Sequence, residues 1–327
     1  MIRYPCRSPA ESASRMCSTA GVSGAWTVFI SAMIKNISVT DTLSRPAAWH
    51  AEPEQLPLYD VHVAQSFRTR WRLPLEHGAW GMLYIPMLLG FLVGRTWSWN
   101  ILTLFLAATG CFLGRSPLLA WARAVRWQKP IGDARQLSLI YLGVGGAAGL
   151  YLLVAREMWF LAPMAGIAAI VLGLNTWQGM LREDRTILGE VTAILGMTMT
   201  APAALYATTD RFDSLLAILW LECILYFASS VFYVKMRVLA AHEKVPGSAA
   251  RARTTCLQYH AFLLITVAIL AVLRLVPPPA ALGFLPVIGR AFWFAARPRK
   301  ILNLKQIGWA EVAFSVIFLA TVGGFTH

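Results

Sequence analysis

Residues 214–234 read SLLAILWLECILYFASSVFYV, an apolar run in which Glu222 is the only side chain expected to carry a charge in water. At 1.5 Å per residue a helix over this run covers about 30 Å, the thickness of a bilayer hydrocarbon core. The stretch therefore reads as a membrane span, and the rest of the chain reads the same way. Hydrophobic residues make up 57% and charged residues 14% of the 327 positions, and the mean hydropathy of +0.57 lies outside the range of soluble globular domains. Working outward gives spans at 78–95, 98–114, 136–154, 158–174, 190–208, 214–234, 258–276, 279–291 and 308–324. The fold expected is all-α, a polytopic transmembrane helix bundle of about nine spans. The segment 279–291 is short and opened by Pro277, Pro278 and Pro279, so a re-entrant segment is the competing reading there.

Two regions follow: 1–70 as a poorly ordered amino-terminal extension and 71–327 as the transmembrane helical domain. The extension has one apolar run, 21–34, which is short for a span and contains Ser23, Thr27 and Ser31. A signal peptide with Arg3, Arg7 and Arg15 ahead of that run, and a later start at Met33, both stay open.

Orientation is read from Lys and Arg, which accumulate in short cytoplasmic loops. One set of connections takes Arg68, Arg70, Arg72, Arg115, Arg123, Arg126, Lys129, Arg135, Arg182 and Arg185. The same side takes Lys235, Arg237, Lys244, Arg251, Arg253, Arg290, Arg297, Arg299, Lys300 and Lys305. The other connections hold little more than Arg95, Arg156, Arg211 and Arg274. Nine spans then place the amino terminus in the cytoplasm. The net charge of +13 is accounted for by this topology and by anionic membrane lipids, at about 1 kcal/mol per basic residue near the surface. It calls for no nucleic acid. The five cysteines include no C-x-x-C pair and suggest no disulfide framework. Small residues four apart, at Gly90 and Gly94, Gly110 and Gly114, and Gly145 and Gly149, suggest close helix packing within the chain.

Ionisable groups at membrane depth are costly, so they mark candidate function. Glu222, Tyr226, Ser229 and Ser230, Tyr233 and Arg237 recur at helical steps and form a polar stripe leading in from the basic end. Two readings compete: interhelical hydrogen bonds in a packed bundle, or the lining of a cavity. Glu76 and His77 before the first span, Glu190 at the start of the fifth, His260 in the seventh and Glu311 in the ninth fall at the same expected depth. No HxxH or HExxH spacing accompanies them, so no metal ligand set is assigned. Arg115 and Lys235 leave the second and sixth spans in similar settings, Phe112-x-x-Arg115 and Phe232-x-x-Lys235, and are candidates to hold an anionic group.

The segment Leu75-Glu76-His77-Gly78-Ala79-Trp80-Gly81-Met82, followed by Pro86 and Gly90, resembles the opening signature of YwiC-like bacterial membrane proteins. Ala201-Pro202-Ala203-Ala204 and Phe232-Tyr233-Val234-Lys235 look like that family too. The resemblance runs from about Arg72 to the end and implies a multi-pass inner-membrane protein, without a reaction, cofactor or catalytic residue. The architecture is also similar to the UbiA prenyltransferase superfamily, whose active-site loops follow the second and sixth helices. Those enzymes hold Mg²⁺ with aspartates repeated in both loops, since a hard cation needs several carboxylate oxygens. Here the corresponding segments are Arg115-Ser116-Pro117-Leu118-Leu119-Ala120 and Lys235-Met236-Arg237-Val238-Leu239-Ala240, with no aspartate. Mg²⁺-dependent prenyl transfer is therefore disfavoured.

Three functional classes remain at this level: a cytoplasm-facing intramembrane cavity for an amphiphilic or anionic small molecule, a proton-coupled transporter using Glu222, and an assembly partner of another membrane complex. The cavity reading expects loss of ligand on Arg115→Ala or Lys235→Ala.

Overall fold

The computed structural model describes residues 77–181, 186–243, 245–297 and 303–326, without the side chains of His77 and Leu304. The extension 1–70 and Glu76 lie outside the described residues. Within them the chain is helical: α1 (His77–Gly94), α2 (Asn100–Arg126), α3 (Ala134–Val154), α4 (Leu161–Met180), α5 (Ile187–Thr198), α6 (Thr200–Thr209), α7 (Ser214–Ala241), α8 (Ser248–Val272), α9 (Pro278–Ala281), α10 (Leu285–Ala296) and α11 (Leu304–Phe325). Eight stretches are long and apolar enough to cross a membrane, and Gly78–Gly94 is a shorter apolar ninth. This is the polytopic bundle expected from the sequence.

Two of the crossings are interrupted, each next to a proline. Pro202 has no N–H to give the carbonyl of Thr198, four residues back, and the fifth crossing divides into α5 and α6 around Met199. Pro286 likewise leaves Leu282 without its α-helical donor. The N–H of Leu285 takes that carbonyl instead, within the 3₁₀ turn Leu282–Phe284 that joins α9 to α10. The whole stretch Pro278–Ala296 is nonetheless long and apolar enough to cross.

The helices outrun the apolar runs. α2 continues past Gly114 to Arg126 and α7 past Val234 to Ala241, so Arg115, Arg123, Lys235 and Arg237 stand on helices and not in loops. This corrects the reading of these two basic segments as loops: the bilayer limits how far a span must be apolar, not how far its hydrogen-bonded ladder runs.

Close packing is set by glycine. A Cβ built on Gly110 would stand 2.7 Å from the Cα of Gly145, and one on Gly90 would stand 2.2 Å from the carbonyl oxygen of Ala201. α2 thus meets α3, and α1 meets α6, nearly backbone to backbone. Gly94 and Gly114 also face close neighbours, whereas Gly149 has nothing within 4 Å. Thr200 Oγ1 ties α6 to α1 by donating to the carbonyl of Leu83 at 2.9 Å. α7 runs through the middle of the bundle, with 67% of its apolar stretch buried, against 17% for α4 at the periphery. Around it Tyr226 stacks on Phe318 of α11, ring centroids 4.0 Å apart, and Phe318 meets Phe284 edge-on at 5.3 Å.

Candidate functional site

The polar stripe of α7 faces inward along its length. Glu222 is 1% exposed, and neither of its carboxyl oxygens has a hydrogen-bond partner among the described residues. Tyr226, Ser229 and Tyr233 are buried as well. Ser229 turns back on its own helix, donating to the carbonyl of Tyr226 at 2.7 Å. Ser230 reaches across, and its Oγ lies 2.5 Å from Oε2 of Glu311 on α11. Tyr233 carries the guanidinium of Arg290 on its ring face at 3.9 Å, and Arg237 lies over the ring of Phe294 at 4.5 Å.

Arg290 is the residue that sequence reasoning misplaced. Grouped by its charge with the basic connections, it belongs instead to α10, is buried, and pairs through Nη1 with Oε1 of Glu311 at 2.5 Å. A single cation inside LPVIGRAFWFAA was the available signal. An arginine bounded on both sides by apolar helix is expensive at membrane depth unless a partner meets it. Arg237, Phe294, Tyr233, Arg290 and Phe314 form a ladder of cations and rings. Its steps are 4.5 Å, 5.9 Å, 3.9 Å and 5.0 Å, running from the basic end toward the bundle centre.

At the outer end of this ladder lies a recess of about 170 Å³ between α7, α8 and α10. Arg237 and Arg253 supply its positive charge; Met236, Phe294 and the methyl groups of Ala240 and Ala295 supply apolar wall. Alanine at those positions leaves the volume open where a larger side chain would fill it.

The other candidates form a second group. The Nε of Arg115 on α2 donates to the side-chain oxygen of Asn175 on α4, and the amide nitrogen of Asn175 donates to the carbonyl of Gly189 on α5 at 3.3 Å. Lys235 on α7 pairs with Glu190, the next residue along α5, at 3.8 Å. Arg123 caps α4 by donating to the carbonyl of Gly179. Neither Arg115 nor Lys235 lines the recess. Two residues apart on α7, Lys235 and Arg237 face opposite neighbours, α5 and α10 respectively. His77 opens α1, and Trp80, one turn on, packs edge-on against Phe112 of α2 at 4.9 Å.

His260 on α8 is fully buried and lies 2.8 Å through Nδ1 from the carbonyl of Cys256. A carbonyl only accepts, so Nδ1 is the donor there, and Nε2 has no hydrogen-bond partner among the described residues. No group of three or more His, Cys, Asp or Glu side chains placed to hold a metal ion occurs among the described residues.

These contacts also sort the bundle into two ends. The ends of α2, α4, α5, α7, α8 and α10 that carry the cations above lie together. The opposite end is joined by Arg156 donating to Asn100 at 2.9 Å and by Thr96 donating to the carbonyl of Thr208 at 2.8 Å. A bundle of apolar crossings with a buried polar stripe and one basic end is a multi-pass integral membrane protein. Residues 73–205 match the model of the family described as YwiC-like protein. The chain is also 26% identical over 253 residues to "Uncharacterized protein YwiC" of Bacillus subtilis (strain 168), covering 76% of this chain and 96% of that protein. Both matches bear out the resemblance to YwiC-like proteins seen in the sequence. No solved structure matches it.

Proposed function

We propose that the protein sits in a bacterial cytoplasmic membrane with its basic end in the cytoplasm, and that the recess between α7, α8 and α10 binds an anionic amphiphile. The observation that carries this reading is the composition of the recess. Arg237 and Arg253 offer guanidinium donors to a charged headgroup, while Met236, Phe294 and the alanines offer a surface to its apolar part. The recess lies at the basic end, where a lipid-soluble molecule with an anionic headgroup would bring that group. Its test is mass spectrometry of lipids and small amphiphiles retained by the purified protein, compared with an equally folded Arg237→Ala, Arg253→Ala variant. A specific anionic amphiphile enriched in the parent and lost from the variant is the expected result. Identical bulk phospholipids in both would defeat the reading.

One observation favours proton-coupled transport as a second reading: the Glu222 carboxyl, deep in α7, is buried from solvent and has no hydrogen-bond partner among the described residues. In proteoliposomes with an internal pH dye, Glu222→Gln should then abolish a substrate-dependent pH change. Unchanged proton movement in that variant would remove this reading.

A further inference from the structure

Arg290 has a donor pair that no described residue uses. Its guanidinium lies near the ring faces of Tyr233, at 3.9 Å, and Phe314, at 5.0 Å, and the residue is 8% exposed. Glu311 takes Nη1, one end of the group. The other two nitrogens, Nε and Nη2, are buried and have no hydrogen-bond partner among the described residues. These two point the same way and form the side-on fork that matches two oxygens of a carboxylate or phosphate. Charged donors left dry in a bundle interior are unfavourable, so an acceptor at this place would be held strongly.

The surroundings suit an anion. Glu311 offsets the charge of Arg290, and the guanidinium of Arg237 lies three steps along the ladder. On α8, the side chains of His260 and Cys256 lie within electrostatic reach of Arg290 and bring no carboxylate to it. The ring of Phe294 stands between this cluster and the open volume, touching Arg237 on one side and Tyr233 on the other while also lining the recess.

We infer that the Nε and Nη2 fork of Arg290 is the inner seat for the oxyanion of the amphiphile, reached from the recess when the Phe294 ring turns aside. This rests on the reading of the recess as an amphiphile site and goes beyond it by assigning the group that recognises the headgroup. The chemical class is an oxyanion with two oxygens free on one side, a carboxylate or a phosphate monoester.

The test uses the full chain in phosphatidylcholine nanodiscs, titrated with oleate and with oleyl phosphate and followed by native mass spectrometry. Arg290→Lys keeps the charge that faces Glu311 but cannot present a fork, and it is expected to weaken the preferred probe by about tenfold or more. Which probe binds tighter assigns carboxylate or phosphate. If Arg290→Lys binds as the parent does while Arg237→Gln loses the probe, the headgroup stays at the rim: the recess reading stands and the inner seat is wrong. If neither probe binds the parent above phosphatidylcholine, both fall. Should Arg290→Lys fail to fold, Phe294→Ala in the otherwise unchanged protein decides the matter. Faster probe association is expected once the ring between recess and fork is gone, and an unchanged association rate would overturn the seat.

Discussion

Oε1 of Glu311 stands 2.5 Å from Nη1 of Arg290, while Oε2 of the same carboxylate lies 2.5 Å from the hydroxyl of Ser230. Three helices, α7, α10 and α11, are therefore tied through one carboxylate inside an apolar bundle. Removing one partner leaves the other charge buried and alone, which costs about 3–5 kcal/mol, whereas replacing both by apolar groups of similar volume is often close to neutral. Glu311→Gln should accordingly lower the thermal unfolding midpoint of the purified protein sharply, and the double variant Arg290→Met, Glu311→Leu should regain most of the loss. A double variant as unstable as Glu311→Gln alone would mean that the pair does more than balance charge.

The chain of contacts from Arg115 through Asn175 to Gly189 has a different consequence. It joins α2, α4 and α5 on the side of α7 away from the recess, so its groups are held by the scaffold. Asn175→Leu leaves the Arg115 Nε without its acceptor, a loss of about 1–3 kcal/mol. Thermal unfolding should show it, together with faster proteolysis at the connection between α4 and α5. Arg115→Ala should destabilise to a similar degree while leaving the amphiphile bound, because Arg115 does not line the recess. Loss of ligand from a folded Arg115→Ala variant would relocate the site to this second group.

The apolar helices were legible because a bilayer enforces a minimum apolar length, and that constraint is local in sequence. The α7 stripe was legible for a similar reason: Glu222, Tyr226, Tyr233 and Arg237 follow from helical period alone, and all turn out to be buried on the inner face. Helix ends were not legible at α2 and α7, where amphipathic turns continue beyond the apolar run. The pairing of Arg290 with Glu311 was also hidden. It depends on which helices pack together, and an arginine near the end of a short span looks like any member of a basic loop. Asn175, the partner of Arg115, fell one residue beyond the expected fourth span and was not singled out.

The glycines separate into two kinds that the spacing alone treats alike. At Gly110 a methyl group would run into the backbone of Gly145, so Gly110→Ala must push α2 and α3 apart, at about 1–3 kcal/mol for overpacking. Gly146 and Gly149 have nothing within 4 Å of where a Cβ would sit. Alanine there removes the conformational freedom of glycine without a clash and should be neutral or stabilising by up to about 1 kcal/mol. Detergent-solubilised thermal melts of the three variants check this. Equal destabilisation at Gly110 and Gly149 would contradict the backbone contact between α2 and α3.

Orientation can be tested at two positions at opposite ends of the bundle. Gln128 follows α2 at the basic end, and Asp213 caps α7 at the other, where its carboxylate accepts from the N–H of Leu215 at 3.0 Å. Lys and Arg are retained on the cytoplasmic face, so the proposed orientation puts the Gln128 end inside. In intact bacterial cells carrying the chain with its own cysteines replaced by serine, Asp213→Cys should react with a membrane-impermeant maleimide. Gln128→Cys should react only after the cells are opened. The reverse pattern would turn the bundle over and place Arg237, Arg253 and the recess on the outer face, so the amphiphile would have to be sought among molecules of the outer leaflet.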